Sequence, residues 1–149
     1  MIRKYEECDL SECASVFCSA FAADPWNENW TQSVAEARIS ELTGTPYSRG
    51  FVYEKDGRIV AMAAGRICTY LHGKEYVIDE FCAAAEIQGM GIGSALMRQI
   101  MAEMRMEGCV SIVLQTTHGY PSERFYLKNG FQRNPDMITM YRLLTDKTI

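Results

Sequence analysis

Two stretches of this chain combine residue types that can do chemistry. Residues 88–94 read Gln88-Gly89-Met90-Gly91-Ile92-Gly93-Ser94, with glycine at alternate positions just before an amphipathic run. Glycine has no Cβ, so backbone amides in such a turn can converge on one point, and a helix starting there adds the positive end of its dipole. The guest this suits is an anion, above all a phosphate or pyrophosphate. A tight strand-to-helix turn without a ligand fits the glycines equally well. Upstream, Asp79-Glu80 offers two adjacent carboxylates, groups able to orient a cation or take its proton. Downstream, Phe125-Tyr126-Leu127-Lys128-Asn129-Gly130-Phe131 places a phenolic donor beside a turn glycine.

The elements that must position these groups follow from periodicity. Residues 75–84 read as a strand that runs into the glycine turn. After it Ile92, Leu96, Ile100 and Met104 recur every fourth residue, with Met97 and Met101 beside them and Arg98, Glu103 and Arg105 turned outward, which predicts a helix ended by Gly108. Residues 110–114 form the next strand. Pro121 opens a short helix running to Asn129-Gly130, and residues 137–144 predict a final strand. Before the site, residues 2–5 suit a first strand. Leu10, Cys13, Val16, Phe17, Ala20 and Phe21 fall at helical spacing with Asp9 as N-cap, and Thr31 caps a second helix through Val34, Ala35, Ile39 and Leu42, ended by Gly44. Residues 51–53 and 59–68 are strands joined at Asp56-Gly57, a hairpin signal, and His72-Gly73-Lys74 turns into the strand that bears the carboxylates. The order is β-α-α-β-β-β-α-β-α-β. It predicts an α+β fold in which helices flank one mixed, mostly antiparallel sheet.

Three phosphate-binding readings of the glycine turn can be told apart. A P-loop needs a Lys-Ser/Thr pair after its last glycine, and no lysine stands near Gly93. A dinucleotide turn needs a third glycine three residues beyond the second, and the next strand then needs a ribose-binding acid; Ser94 and Gln115-Thr116-Thr117 provide neither. The third reading takes the neighbours into account. The segment resembles the [RQ]-x-x-G-x-[GA] acetyl-CoA motif of the GNAT superfamily of N-acetyltransferases at Gln88, Gly91 and Gly93. The block from Phe125 to Phe131 resembles that family's F-Y-x-x-x-G-F, and Asp79-Glu80-Phe81-Cys82-Ala83 resembles its acid-bearing fourth strand. The element order matches over nearly the whole chain. Two departures stand out. Ala83-Ala84-Ala85 replaces the family's frequent Val-x-Pro, and Gly119 stands where it often has Asn ahead of the last helix.

The resemblance implies acetyl-CoA as co-substrate, with its pyrophosphate on Gln88, Gly89, Met90, Gly91, Ile92, Gly93 and Ser94, and the thioester and pantetheine arm along the backbone of Phe81, Cys82 and Ala83. It implies Tyr126 as the acid that protonates the leaving thiolate. It also implies an acid on the fourth strand that handles the acceptor amine. Side chains alternate along a strand, so at most one of Asp79 and Glu80 faces that amine directly. The family pattern favours Asp79, with Glu80 as the other candidate; the bland reading gives both a structural role. Tyr126 could likewise be core packing. Trp26, Trp30, Tyr70 and His72 could border an acceptor pocket or serve as anchors and a turn residue.

Composition bounds the rest. The 149 residues suit a single domain, 1–149, with 48% hydrophobic and 23% charged residues, ordinary globular usage. A formal charge of −4 lacks the basic footprint of a nucleic-acid binder. No stretch approaches the ~20 apolar residues of a membrane span, and Met1 leads into no signal-like core, so the chain reads as cytoplasmic. Six scattered cysteines without a Cys-x-x-Cys pair, and only two histidines, predict buried free thiols and no metal site. The expected acceptor is the primary amine of a small molecule. A protein N-terminus or lysine is the alternative, as is a non-catalytic CoA-sensing module of the same fold. A homodimer is compatible with all of these.

Overall fold

The computed structural model describes residues 1–145. Five strands form one sheet in the order β1 (Ile2–Lys4), β2 (Ser48–Lys55), β3 (Arg58–Tyr70), β4 (Gly73–Ala83) and β5 (Cys109–Leu114). The first four run antiparallel and β5 lies parallel to β4. Helices α1 (Leu10–Ala22) and α2 (Gln32–Thr43) follow β1; α3 (Ile92–Met106) joins β4 to β5, and α4 (Pro121–Lys128) comes last. Helices α1 and α2 pack on each other and on β3, while α3 packs on β2 to β5. Successive residues such as Phe51 and Val52, or Ala61 to Ala64, are therefore buried together, the signature of strands covered on both faces.

The predicted caps and turns account for most boundaries. Thr31 caps α2 by accepting the Val34 amide at 3.4 Å, and Gly44 ends the helix. Asp56 and Gly57 both adopt positive φ in the β2–β3 hairpin. The α3 stripe buries Ile92, Leu96, Met97, Ile100 and Met104, each worth about 1.5–3 kcal/mol relative to exposure. Asp9 precedes α1 as expected but does not cap it. Its carboxylate is buried and takes Arg3 Nη1 and Nη2 at 2.7 and 2.9 Å and the Glu6 amide at 2.8 Å, which ties β1 to the helix start.

Three expectations are corrected. Residues 137–144 are not a strand: among the described residues the element order ends on α4 and the sheet at β5. Apolar pattern alone cannot specify which edge a strand joins. The thiols are all free, yet only Cys13 and Cys82 are buried; Cys8 is exposed. Tyr70 lies exposed at the far end of β3 beside the His72 turn, away from the glycine turn. Among the described residues no helix is long and apolar enough to cross a membrane.

Candidate active site

The site grows from an irregularity in β4. Strand pairing takes Ala64 to Glu80 and Gly65 to Ile78, so Asp79 is an extra residue, a β-bulge. The bulge depends on Gly65, where a Cβ would lie 2.2 Å from the Val77 carbonyl oxygen and 2.9 Å from Tyr76 Cζ. Tyr76 is itself fixed, fully buried with its hydroxyl donating to the Arg49 carbonyl at 2.8 Å. The parallel ladder to β5 stops at the same level, with Ile78 opposite Leu114 as its last pair. Beyond it β4 continues to Ala83 while β5 ends, so residues 79–83 face a cleft instead of a neighbouring strand.

That cleft holds a cavity of about 350 Å³, a size typical of small-molecule sites. Phe81, Cys82 and Ala83 form one wall, and the turn residues Gln88, Gly89, Gly91, Ile92, Gly93 and Ser94 form its floor. Met90 belongs to the same turn but points to solvent. Gln88 closes the turn by donating from Nε2 to the Ala83 carbonyl at 3.1 Å. Gly91 is the N-cap of α3 at φ +80, with open space where a Cβ would project. The first intrahelical donor is Ala95, bonded to the Gly91 carbonyl at 3.0 Å. The amides of Ile92, Gly93 and Ser94 therefore precede the helical ladder, as the opening donors of any helix do. This is a cradle suited to an anion.

The opposite wall is α4. Phe125 and Tyr126 stack on Phe81 with ring centroids 5.4 and 6.3 Å apart, and Tyr126 meets Phe131 at 5.5 Å, so the tyrosine is positioned by three rings. Among the described residues its hydroxyl makes no hydrogen bond. Burial, followed by electrostatic interaction with Cys82 and Glu80, raises its pKa well above the ordinary phenol value, which keeps it protonated as a donor at neutral pH.

The two carboxylates are separated by the bulge. Asp79 pairs with Arg66 on β3, and its Oδ2 is buried without a hydrogen bond. Glu80 pairs with Arg38 of α2 at 3.1 Å. Desolvation raises the Glu80 pKa against the opposing pull of Arg38, and Asp79 and Glu28 push it further up. Neither carboxylate lines the cavity itself, but it is the Glu80 charge that reaches Tyr126. Trp26 lines the cavity and meets Tyr120 edge-on at 6.0 Å, whereas Trp30 packs on Phe17 and donates to Glu28 at 2.7 Å. The wall residues Pro121, Ser122 and Lys128 and the Glu80 partner Arg38 escape a reading of the sequence. The spacing 121, 122, 125, 128 around Tyr126, one face of a helix, is the signal for the first three; Arg38 leaves none, because its pairing is purely tertiary.

The glycine cradle, the splayed strand and the phenol occur here together in one cleft. A family model described as the acetyltransferase (GNAT) family matches residues 15–131. The chain belongs to this family. It is an acetyltransferase, and no curated protein matches it. Solved GNAT-like structures share its fold at low identity. A transcriptional regulator from Bacillus halodurans C-125 is 24% identical, with 95% of this chain and 99% of that one covered at TM-score 0.76. Glucosamine-6-phosphate N-acetyltransferase from Arabidopsis thaliana is 20% identical, covered 97% and 98%, at TM-score 0.68. AAC(6')-Iy in complex with the bisubstrate analog CoA-S-monomethyl-acetylneamine is 14% identical, covered 97% and 98%, at TM-score 0.75. Among the described residues no cluster of His, Cys, Asp and Glu could hold a metal ion.

Proposed function

We propose that this GNAT enzyme transfers the acetyl group of acetyl-CoA to the primary amine of a small molecule by direct attack on the thioester. The observation that carries the reading is the meeting of the raised Tyr126 phenol, the β4 splay and the Gly91 cradle in one cleft. Amides at the start of α3 bind the pyrophosphate, and the backbone of Phe81, Cys82 and Ala83, paired to β3 on one side, receives the pantetheine arm and polarises the carbonyl on the side β5 leaves open. Glu80 takes a proton from the incoming ammonium, directly or through a water, and its raised pKa suits a base working near neutrality. The freed lone pair forms the C–N bond. As the C–S bond breaks, the electron pair goes to sulfur and Tyr126 supplies its proton, while the acylated nitrogen sheds its remaining extra proton to solvent, from which the Tyr126 oxygen is reprotonated.

Two features favour direct attack and a small acceptor. Cys82, the thiol nearest the cleft, is fully buried and its pKa is raised well above the ordinary value, so it stays a poor nucleophile and offers no acyl-cysteine route. Trp26, held edge-on by Tyr120, supplies an aromatic wall of the cavity of about 350 Å³, a volume that suits a small acceptor, and the Glu28 and Glu80 carboxylates favour a cationic amine. The test is an acceptor panel of aminoglycosides, amino sugars, polyamines, amino acids and peptides, with CoA release followed against time. Turnover with small amines supports the reading. Turnover only with hydroxyl or thiol acceptors, or only with peptides, overturns it.

A further inference from the structure

The Glu80 carboxylate is held by a guanidinium that has donors to spare. Helix α2 buries Ala35 and Ile39 against the sheet, and Arg38, three residues past the first and next to the second, leaves the same side of the helix. Its Nε donates to Glu80 Oε1 at 3.1 Å, and neither of its Nη atoms has a partner among the described residues. The Arg38 side chain is 36% exposed, against 16% for Glu80, so a solute can reach the pair from the Arg38 side. Two other carboxylates act on Glu80, Asp79 of β4 and Glu28 of the α1–α2 loop. Each is engaged elsewhere: Asp79 pairs with Arg66, and Glu28 accepts the Trp30 indole N–H at 2.7 Å. Among the described residues Glu80 is therefore the one anion paired with Arg38.

A base so paired selects among acceptors. When Glu80 takes the ammonium proton it becomes neutral, and Arg38 is left a cation without its counterion, a costly state at a half-buried site. A bare amine or a polyamine brings no charge to replace the one lost. An acceptor with a carboxylate on the carbon that bears the amine does. With its nitrogen at Glu80, that carboxylate lies one carbon away, on the scale of the single hydrogen bond that separates Glu80 from the guanidinium. Resting on Glu80 as the base of amine acetylation, we infer that Arg38 reads the acceptor and that the substrates are α-amino carboxylates, amino acids or compounds built like them, whose carboxylate binds end-on to the two free Nη donors. Such a fork is bidentate, so it fixes the direction of the amine as well as holding the molecule, which the point charge of a lysine does not. Nε stays on Glu80, and one guanidinium thereby aligns base and acceptor together.

The test compares apolar, basic and acidic amino acids, each with its α-amide and with the amine that lacks the carboxyl group. CoA release gives kcat and KM for the wild-type enzyme, Arg38→Gln and Arg38→Lys. The amine of an α-amide loses its proton more readily, so a preference for the carboxylate runs against intrinsic reactivity. The wild-type enzyme should favour the amino acid by roughly ten- to a hundredfold in kcat/KM, the scale of a charge-assisted pair, and chiefly through KM. Arg38→Gln disturbs Glu80 for all acceptors alike, yet the ratio of amino acid to amide should collapse toward one; Arg38→Lys should keep part of it. A wild-type enzyme that takes amides or bare amines as readily as amino acids overturns the inference and leaves acetyl transfer to small amines standing. So does a carboxylate preference that Arg38→Gln retains in full. An enzyme that acetylates no amine of the set removes the proposed function, and the inference with it. Should Arg38→Gln fail to fold by circular dichroism, the wild-type ratio and its change in Arg38→Lys decide.

Discussion

Removing one oxygen from Tyr126 separates chemistry from packing. Tyr126→Phe keeps the ring that meets Phe81, Phe125 and Phe131 at 6.3, 5.2 and 5.5 Å. The deleted hydroxyl has no hydrogen-bond partner among the described residues, so no buried group is orphaned by its loss. Stability should therefore change by less than about 1 kcal/mol, the scale of a single net hydrogen bond. Turnover should respond quite differently. If the phenol protonates the departing thiolate, its loss removes general acid catalysis worth about 10²–10⁴-fold, or roughly 3–5 kcal/mol of transition-state stabilisation. Because burial raises the Tyr126 pKa, the wild-type enzyme should keep this donor through the alkaline range, with no activity loss from its ionisation near the ordinary phenol value. The assay follows CoA release with an active acceptor from the panel, alongside a thermal melt and acetyl-CoA titration calorimetry. Turnover slowed by about a hundredfold or more, with the melt and the cofactor affinity unchanged, supports the role. A variant whose turnover stays within about threefold of wild type would reduce Tyr126 to a wall of the cleft.

Gly91→Asp places a side chain at φ +80 and a negative charge in the anion cradle; calorimetry should find acetyl-CoA binding largely abolished while circular dichroism stays native-like, and retained affinity would remove the pyrophosphate from this turn. Glu80→Gln should slow turnover at limiting acceptor by about a hundredfold where Glu80 is ionised and the acceptor still protonated, with the deficit shrinking in acid as the wild-type carboxylate itself protonates, so that the acidic limb above the ordinary carboxylate range disappears. Asp79→Asn, which loses the Arg66 pairing and the charge that helps raise the Glu80 pKa, should keep the acidic limb and move it toward lower pH; a limb that vanishes in Asp79→Asn and survives in Glu80→Gln would transfer the base to Asp79. The Asp9 pKa is lowered by Arg3 and the Glu6 amide, so its contribution is present above the ordinary carboxyl range and fades as pH falls through the depressed folded value. Asp9→Asn should accordingly cost about 1–2 kcal/mol at neutral pH and progressively less in acid, as read by denaturant melts at several pH values.

Local signals in the sequence are those the structure keeps. Thr31, Gly44, Asp56-Gly57 and Pro121 each act within a few residues of themselves, through a cap, a turn or a fixed φ, so their effects need no knowledge of the fold. The glycine turn and the Phe125 to Phe131 block are legible for the same reason. Residues 137–144 carry a strand-like apolar pattern that the structure does not use, since such a pattern says nothing of whether a sheet edge lies in reach. Asp9 misleads because its partner Arg3 lies on another element, and a carboxylate before a helix looks like a cap unless a nearby guanidinium takes it.

The Asp79 and Glu80 pair shows where alternation breaks down and why. A strand read at period two puts neighbours on opposite faces, and a family pattern then chooses between them. The bulge inserts Asp79 as an unpaired residue between the Ile78 and Glu80 rungs, so the parity counted from Tyr76 and Ile78 no longer holds at Phe81 and Cys82. Its cause lies on another strand, in the glycine at position 65 that lets Val77 and Tyr76 approach, and neither Asp79 nor Glu80 carries any mark of it. The same bulge coincides with the last β4–β5 rung at Ile78 and Leu114. One local insertion thus turns Asp79 to Arg66, leaves Glu80 to Arg38 and to the field at Tyr126, and frees the backbone of Phe81 to Ala83 toward the cleft. The break in strand regularity that hides the choice of base from the sequence is also what opens the site.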